Sequence, residues 1–219
     1  MKIGRYIDHA ILKPNMTEEE VIRDIKLGLQ YHVRTVCVRP CDIELALSLC
    51  KGTDTDVCCV LDFPHGAGGA AMKEAAAKAY AEMGLFEIDM VMNIGAARSG
   101  KWDVVGDEIR RVVKQAHAKN VPVKVIFETC YLTTEQIAKA TEVCIECGAD
   151  FVKTSTGFGT CGATPEAVRI MLDTAKGRIK VKASGGIRDF KTAKMYVDMG
   201  VERLGVGSTS SAAICDGEE

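Results

Sequence analysis

Three stretches of this chain place charged residues inside apolar strand patterns. Residues 150–159 read DFVKTSTGFG, where Lys153 directly follows Phe151 and Val152. Residues 179–187 read IKVKASGGI, with Lys182 late in the run, and residues 87–95 read EIDMVMNIG, with Asp89 among apolar neighbours. Lysine is rarely buried without a partner or a task. A free lysine, with a pKa of about 10.4, is neutral in about one molecule in a few thousand at pH 7. A second ammonium about 4 Å away, at an effective dielectric of about 20, repels it by about 4 kcal/mol. That repulsion brings one amine into the range of about 7 to 8, where lysines act as nucleophiles. A neutral lysine adds to a carbonyl and forms an iminium, an electron sink beside which a proton or a C–C bond can leave. A carboxylate such as Asp89 then moves protons. This is aldolase chemistry that calls for no cofactor and no metal.

A buried salt-bridge network is the competing reading. Lys124 with Glu128, or Lys180, needs to be no more than that. Lys153 and Lys182, on neighbouring strands with few carboxylates beside them, make a poor stabilising device, so their pairing points to a neutral amine.

The elements that position these residues alternate strictly. Strands are expected at residues 5–10, 35–38, 57–63, 87–92, 122–127, within 150–159, 179–184 and 203–206. Helices lie between them. Thr17 with Glu20 and Thr133 with Gln136 form capping boxes, Thr164 precedes Pro165 at a helix start, and Asp189 caps a further helix. Parallel strands require such crossovers. Three helix stops resemble one another, at Gly84, Gly148 and Gly200, each leading into a strand. The echo favours an α/β fold of the closed (β/α)8 TIM-barrel type over an open doubly wound sheet, with residues 1–219 as one domain.

Strand side chains alternate in direction. Ile88, Met90 and Met92 then face the helices, and Glu87, Asp89, Val91 and Asn93 face the bore. The same count turns Asp8, Cys37, Lys124, Glu128, Phe151, Lys153, Ser155, Lys180 and Lys182 inward. Barrel interiors are ordinarily filled by branched aliphatics, and charge at the C-terminal rim is where barrel enzymes keep their chemistry. Gly185-Gly186 follows the seventh strand, and Gly207-Ser208 follows the eighth before a short helix at about residues 209–214. Such loops bind phosphate through backbone N–H groups and a helix N-terminus. The expected substrate is a phosphorylated aldehyde or sugar.

The segments IDHAILKP (7–14), EIDMVMNIGA (87–96), VKVIFET (123–129), FVKTSTGF (151–158) and VKASGGIR (181–188) resemble the deoxyribose-phosphate aldolase family, in order and over nearly the whole chain. The resemblance implies reversible cleavage of 2-deoxyribose 5-phosphate to acetaldehyde and glyceraldehyde 3-phosphate. It implies Lys153 as the Schiff-base nucleophile, Lys182 as the lysine that perturbs its pKa and takes part in proton transfer, and Asp89 as part of a proton relay. It places phosphate near Gly157, Gly185, Gly186 and Ser208. Asp8, Cys37, Thr154 and Gly207 complete the set expected around the substrate. A homodimer is also implied. Ala10 stands where many members have threonine, Gly207 where serine is common, and Phe158 where some have lysine. The tail CDGEE lacks a terminal tyrosine that certain members carry.

Composition narrows the partners. The net charge of −2 and interleaved signs give no basic block for nucleic acid, and no apolar run approaches the ~18 residues of a membrane span. The N-terminus lacks an apolar signal region, so a cytoplasmic location is expected. Ten cysteines, with Cys144 and Cys147 in a helical pattern, read as buried free thiols in a reducing compartment. His65, in DFPHGAGG, reads as a surface histidine on the catalytic rim. Two rivals remain: an aldolase of the same chemistry on another sugar or aldehyde, and a phosphosugar-binding barrel without turnover.

Overall fold

Alternating apolar strand segments and amphipathic helices close into a barrel of eight parallel strands in sequence order. The structure is a computed structural model and describes residues 2–218. The strands are β1 (Ile7–Ile11), β2 (Thr35–Val38), β3 (Asp56–Leu61), β4 (Glu87–Val91), β5 (Val123–Ile126), β6 (Phe151–Lys153), β7 (Lys180–Ser184) and β8 (Arg203–Gly207). β8 pairs back onto β1, Asp8 lying opposite Gly205, which excludes an open sheet. The helices are α1 (Glu18–Gln30), α2 (Ile43–Cys50), α3 (Ala70–Glu82), α4 (Ile94–Arg98), α5 (Trp102–His117), α6 (Thr134–Glu146), α7 (Pro165–Ala175), α8 (Phe190–Met199) and α9 (Ser208–Asp216).

The four helix starts legible in the sequence are made as expected. Thr17 and Thr133 form reciprocal capping boxes with Glu20 and Gln136, Thr164 caps α7 ahead of Pro165, and Asp189 accepts from the Thr192 N–H. Ile88, Met90 and Met92 are buried in the apolar layer between strands and helices. Inside the bore, Cys37, Cys58 and Val60 form a small separate apolar cluster against Leu12 and Phe63.

Two elements differ from expectation. β1 begins at Ile7, because Ile3–Tyr6 coil into a 3-10 turn in which the Arg5 N–H donates to the Lys2 carbonyl at 3.0 Å. Residues 94–98 form α4, whose five residues are too few to reveal a period. Its start takes Asn93 out of the inward set: Asn93 Oδ1 accepts from the Ala96 N–H at 3.0 Å, and its Nδ2 donates to Glu108 at 3.3 Å.

Candidate active site

The register makes Lys153 and Lys182 direct neighbours across β6 and β7. Both ammonium groups point into the bore, and both donate to Oδ2 of Asp89, at 2.8 and 2.7 Å. Lys182 also donates to Asp8 Oδ2. The other oxygen of Asp89 accepts from Lys124 at 2.8 Å. Lys124 further contacts Glu87 at 2.5 Å and Asp8 at 3.5 Å. Arg203 bridges Asp8 at 2.6 Å and Glu87 at 2.8 Å.

This network corrects three expectations. The carboxylates beside the lysines are not few: Asp8, Glu87 and Asp89 stand among Lys124, Lys153, Lys182 and Arg203. Lys124 pairs with these and not with Glu128. Glu128 lies past the end of β5 with a left-handed backbone (φ 55), and its carboxylate accepts from the N–H and hydroxyl of Thr156. Lys180 is exposed at the bottom of the barrel, 5.2 Å from the Phe151 ring centre.

The electrostatics follow from the partners. Burial alone would raise the Asp89 carboxyl, but Lys124, Lys153 and Lys182 outweigh it and hold it well below the usual carboxylate range. Asp8 is likewise held low against burial by Lys124, Lys182 and Arg203. Burial would lower Lys182, yet Asp8 and Asp89 hold it above its ordinary range. Asp8 and Asp89 thus hold Lys182 as a cation beside Lys153. The cluster carries one more positive than negative charge. Lys153 holds a single carboxylate oxygen and shares it, whereas Lys124 and Lys182 each contact more than one carboxylate.

Above the lysines opens a cavity of about 390 Å³. Lys153, Lys182, Asp8, Cys37, Gly157, Gly185, Gly186, Gly207 and Ser208 all line it. Asp89 lies one layer below. Thr154 does not line it: its hydroxyl accepts from the Ser184 N–H at 3.0 Å and donates to the Ser184 carbonyl at 3.1 Å, stapling β6 to β7. A hydroxyl on the outward side of the strand alternation has no route to substrate. Ser155 Oγ is buried without a hydrogen-bond partner among the described residues.

Two cations that line the cavity were not anticipated from the sequence. Lys13, after β1, and Arg188, after the Gly-Gly turn, are exposed cations at this cavity. Both stood inside the quoted motifs, but loop cations carry no periodicity that gives their direction. Gly185 (φ +86) makes its turn where the Gly162 backbone packs closely, a Cβ there falling 2.8 Å from Gly162 Cα. Gly205 on β8 leaves room for Lys182: a Cβ there would sit 3.2 Å from Lys182 Cε and 2.5 Å from Ser184 Cβ. Phe158 packs edge-on against Phe63, ring centres 5.3 Å apart. His65 is exposed and lines a neighbouring cavity with both rings.

A closed parallel barrel with two lysines meeting on one carboxylate, at the foot of a cavity rimmed by cations and glycine turns, defines the class of barrel aldolases. Residues 3–215 match the family model described as DeoC/LacD family aldolase, and the chain belongs to that family. It is 40% identical over 218 residues to a deoxyribose-phosphate aldolase of Treponema denticola, covering 100% of each chain. It is 47% identical over 208 residues to one of Clostridium tetani, covering 95% of this chain and 96% of that one. Among solved structures, "QR15, an Aldolase" superposes with a TM-score of 0.91 at 42% identity, covering 98% of this chain and 94% of that one. A tetrameric deoxyribose phosphate aldolase from Aeropyrum pernix superposes at 0.89 with 29% identity, covering 98% and 89%. Among the described residues, no helix is long and apolar enough to cross a membrane.

Proposed function

We propose that this protein reversibly cleaves 2-deoxy-D-ribose 5-phosphate to acetaldehyde and D-glyceraldehyde 3-phosphate through a Schiff base on Lys153. The observation that carries the reading is the shared Asp89 oxygen beneath Lys153 and Lys182. The Lys153 amine adds to C1 of the open-chain sugar, and loss of water leaves the iminium. A base removes the C3 hydroxyl proton as the C2–C3 bond breaks, and the bonding pair passes into the iminium to give an enamine. Glyceraldehyde 3-phosphate departs, C2 takes up a proton, and water releases acetaldehyde. The fixed Lys182 charge keeps the site cationic while Lys153 is neutral, and Asp89, touching both amines, is placed to pass protons between them. Lys13, Arg188, the turns at Gly185-Gly186 and Gly207-Ser208, and the N-terminus of α9 supply the phosphate end. In this reading the whole chain is one catalytic domain, works in the cytoplasm and is a homodimer.

Borohydride added with the aldehyde substrate tests the chemistry. A reduced adduct mapped to the peptide carrying Lys153 is the expected result, and active protein with no adduct there overturns it. A panel of sugars and aldehydes ranked by kcat/KM distinguishes this substrate from others with the same chemistry. Lys153→Met that loses only phosphate affinity, with no turnover to lose, would identify a binding protein. Light scattering decides between dimer and other assemblies.

A further inference from the structure

We propose that Cys37, Cys58 and Asp89 form a binding site for one thiophilic divalent cation, of the cadmium or zinc type, beneath Lys153, and that its occupation blocks the enzyme. Cys37 and Cys58 are direct partners in the β2–β3 ladder and both face the bore. Their sulfurs and a carboxylate oxygen of Asp89 lie within 4.8 Å of one another, all buried. Among the described residues no other three His, Cys, Asp or Glu ligand atoms gather this closely. Cys144 and Cys147 have no third ligand among the described residues and are not such a site. A tetrahedral zinc ion, with Zn–S of about 2.3 Å and Zn–O of about 2.1 Å, needs sulfurs about 3.8 Å apart and S···O of about 3.6 Å. Cys58 Sγ stands 3.2 Å from Asp89 Oδ1, a few tenths of an ångström short of that S···O spacing, and all three ligand atoms lie within 4.8 Å. Cys37 lines the catalytic cavity, which supplies the route in.

The surrounding cations do not forbid this. Lys124 Nζ lies 3.6 Å from Cys58 Sγ and 2.8 Å from Asp89 Oδ1, and Lys153 and Lys182 hold the other oxygen. A bare dication would be repelled. The exchange M²⁺ + 2 RSH → M(SR)₂ + 2 H⁺ keeps the net charge of the cluster unchanged; burial holds the Cys58 thiol well above its ordinary range, Lys124 offsets part of that, and the metal displaces the proton. A metal on Asp89 draws that carboxylate away from the amines it serves. The blocking half of the inference rests on the proposed role of Lys153; the binding half does not.

The test titrates the reduced full-length protein with cadmium chloride and reads the ultraviolet thiolate-to-cadmium charge-transfer absorption. About one ion per chain is expected. The band should persist when the exposed thiols are removed in Cys41→Ser/Cys161→Ser, and the affinity should fall at least tenfold in Cys58→Ala. Loading should abolish borohydride trapping at Lys153, and EDTA should restore it. Absence of the band in the parent protein, or an undiminished band in both Cys58→Ala and Cys37→Ala, overturns the site. If neither variant folds, anomalous scattering from a cadmium-soaked parent crystal decides: a peak among the three ligands supports the site, and peaks only elsewhere overturn it. Full trapping by the loaded protein overturns the blocking role. Failure of metal-free protein to trap aldehyde refutes the Lys153 reading and leaves the absorption to decide the site.

Discussion

Lys153 and Lys182 stand opposite each other in the β6–β7 ladder, and their ammonium groups meet on a single oxygen of Asp89. One acceptor lone-pair region thus serves two donors in a buried site. Asp8 and Asp89 both hold Lys182, whereas Lys153 has only the shared oxygen, so Lys153 is the less tightly held of the two.

Lys182→Met removes the fixed cation and leaves Asp8 and Asp89 each short of a buried partner. Breaking a buried ion pair by truncating one side costs about 3 to 5 kcal/mol. Urea unfolding should register a loss of that order. Steady-state kinetics should register a fall in kcat of about 100- to 10,000-fold, the usual range for a positioned proton-transfer group. Retention of parental kcat in a folded variant would remove Lys182 from the mechanism.

Gly205→Ala adds a methyl 2.5 Å from Ser184 Cβ and 3.2 Å from Lys182 Cε. Ser184 is held by the Thr154 hydroxyl and cannot easily retreat. Overpacking of this kind costs about 1 to 3 kcal/mol. The melting temperature should drop, and kcat should drop with it as Lys182 is displaced, whereas a methyl at open Gly207 should change the melting temperature little.

Lys13→Gln and Arg188→Gln remove cations that line the catalytic cavity. A charge-assisted contact to phosphate is worth about 1.5 to 3 kcal/mol, so each should raise KM for the phosphorylated sugar by about 10- to 100-fold. Kinetics with unphosphorylated 2-deoxyribose should be unchanged. Equal losses on both sugars would place these cations outside the phosphate end.

His9, on β1, is buried with Nε2–H donating to the Asp24 carbonyl at 2.9 Å and Nδ1 accepting from the Ser211 hydroxyl at 2.8 Å. Burial pushes its pKa down to about 4. Its unfolded value is about 6.5, so between those values the unfolded chain binds a proton that the folded chain refuses. Stability should therefore decline as pH falls from about 6.5 to about 4, by up to about 3 kcal/mol. Asp8 and Asp89 stay ionised throughout that window, since their folded values lie lower still. Melting temperatures measured at pH 7.5 and 4.5 should converge in His9→Gln relative to the parent.

What was legible in the sequence was everything set by local chemistry and by period. Caps at Thr17, Thr133, Thr164 and Asp189 are written in neighbouring residues, and the two-residue alternation turned Asp8, Cys37, Asp89, Lys153 and Lys182 toward one bore. Thr154 was outward by the same count, and its hydroxyl went to the β7 backbone. The tertiary structure alone decided the partners. Lys124 and Arg203 joined Asp8 and Glu87 because barrel closure brings β8 against β1 and fills one bore from all sides, and no spacing along the chain encodes which carboxylate an inward cation meets. The register of β2, β3 and β4 placed Cys58 beside Cys37 and against Asp89. Strand direction is a local property of the backbone; ion pairing across a barrel is a property of the closed ring.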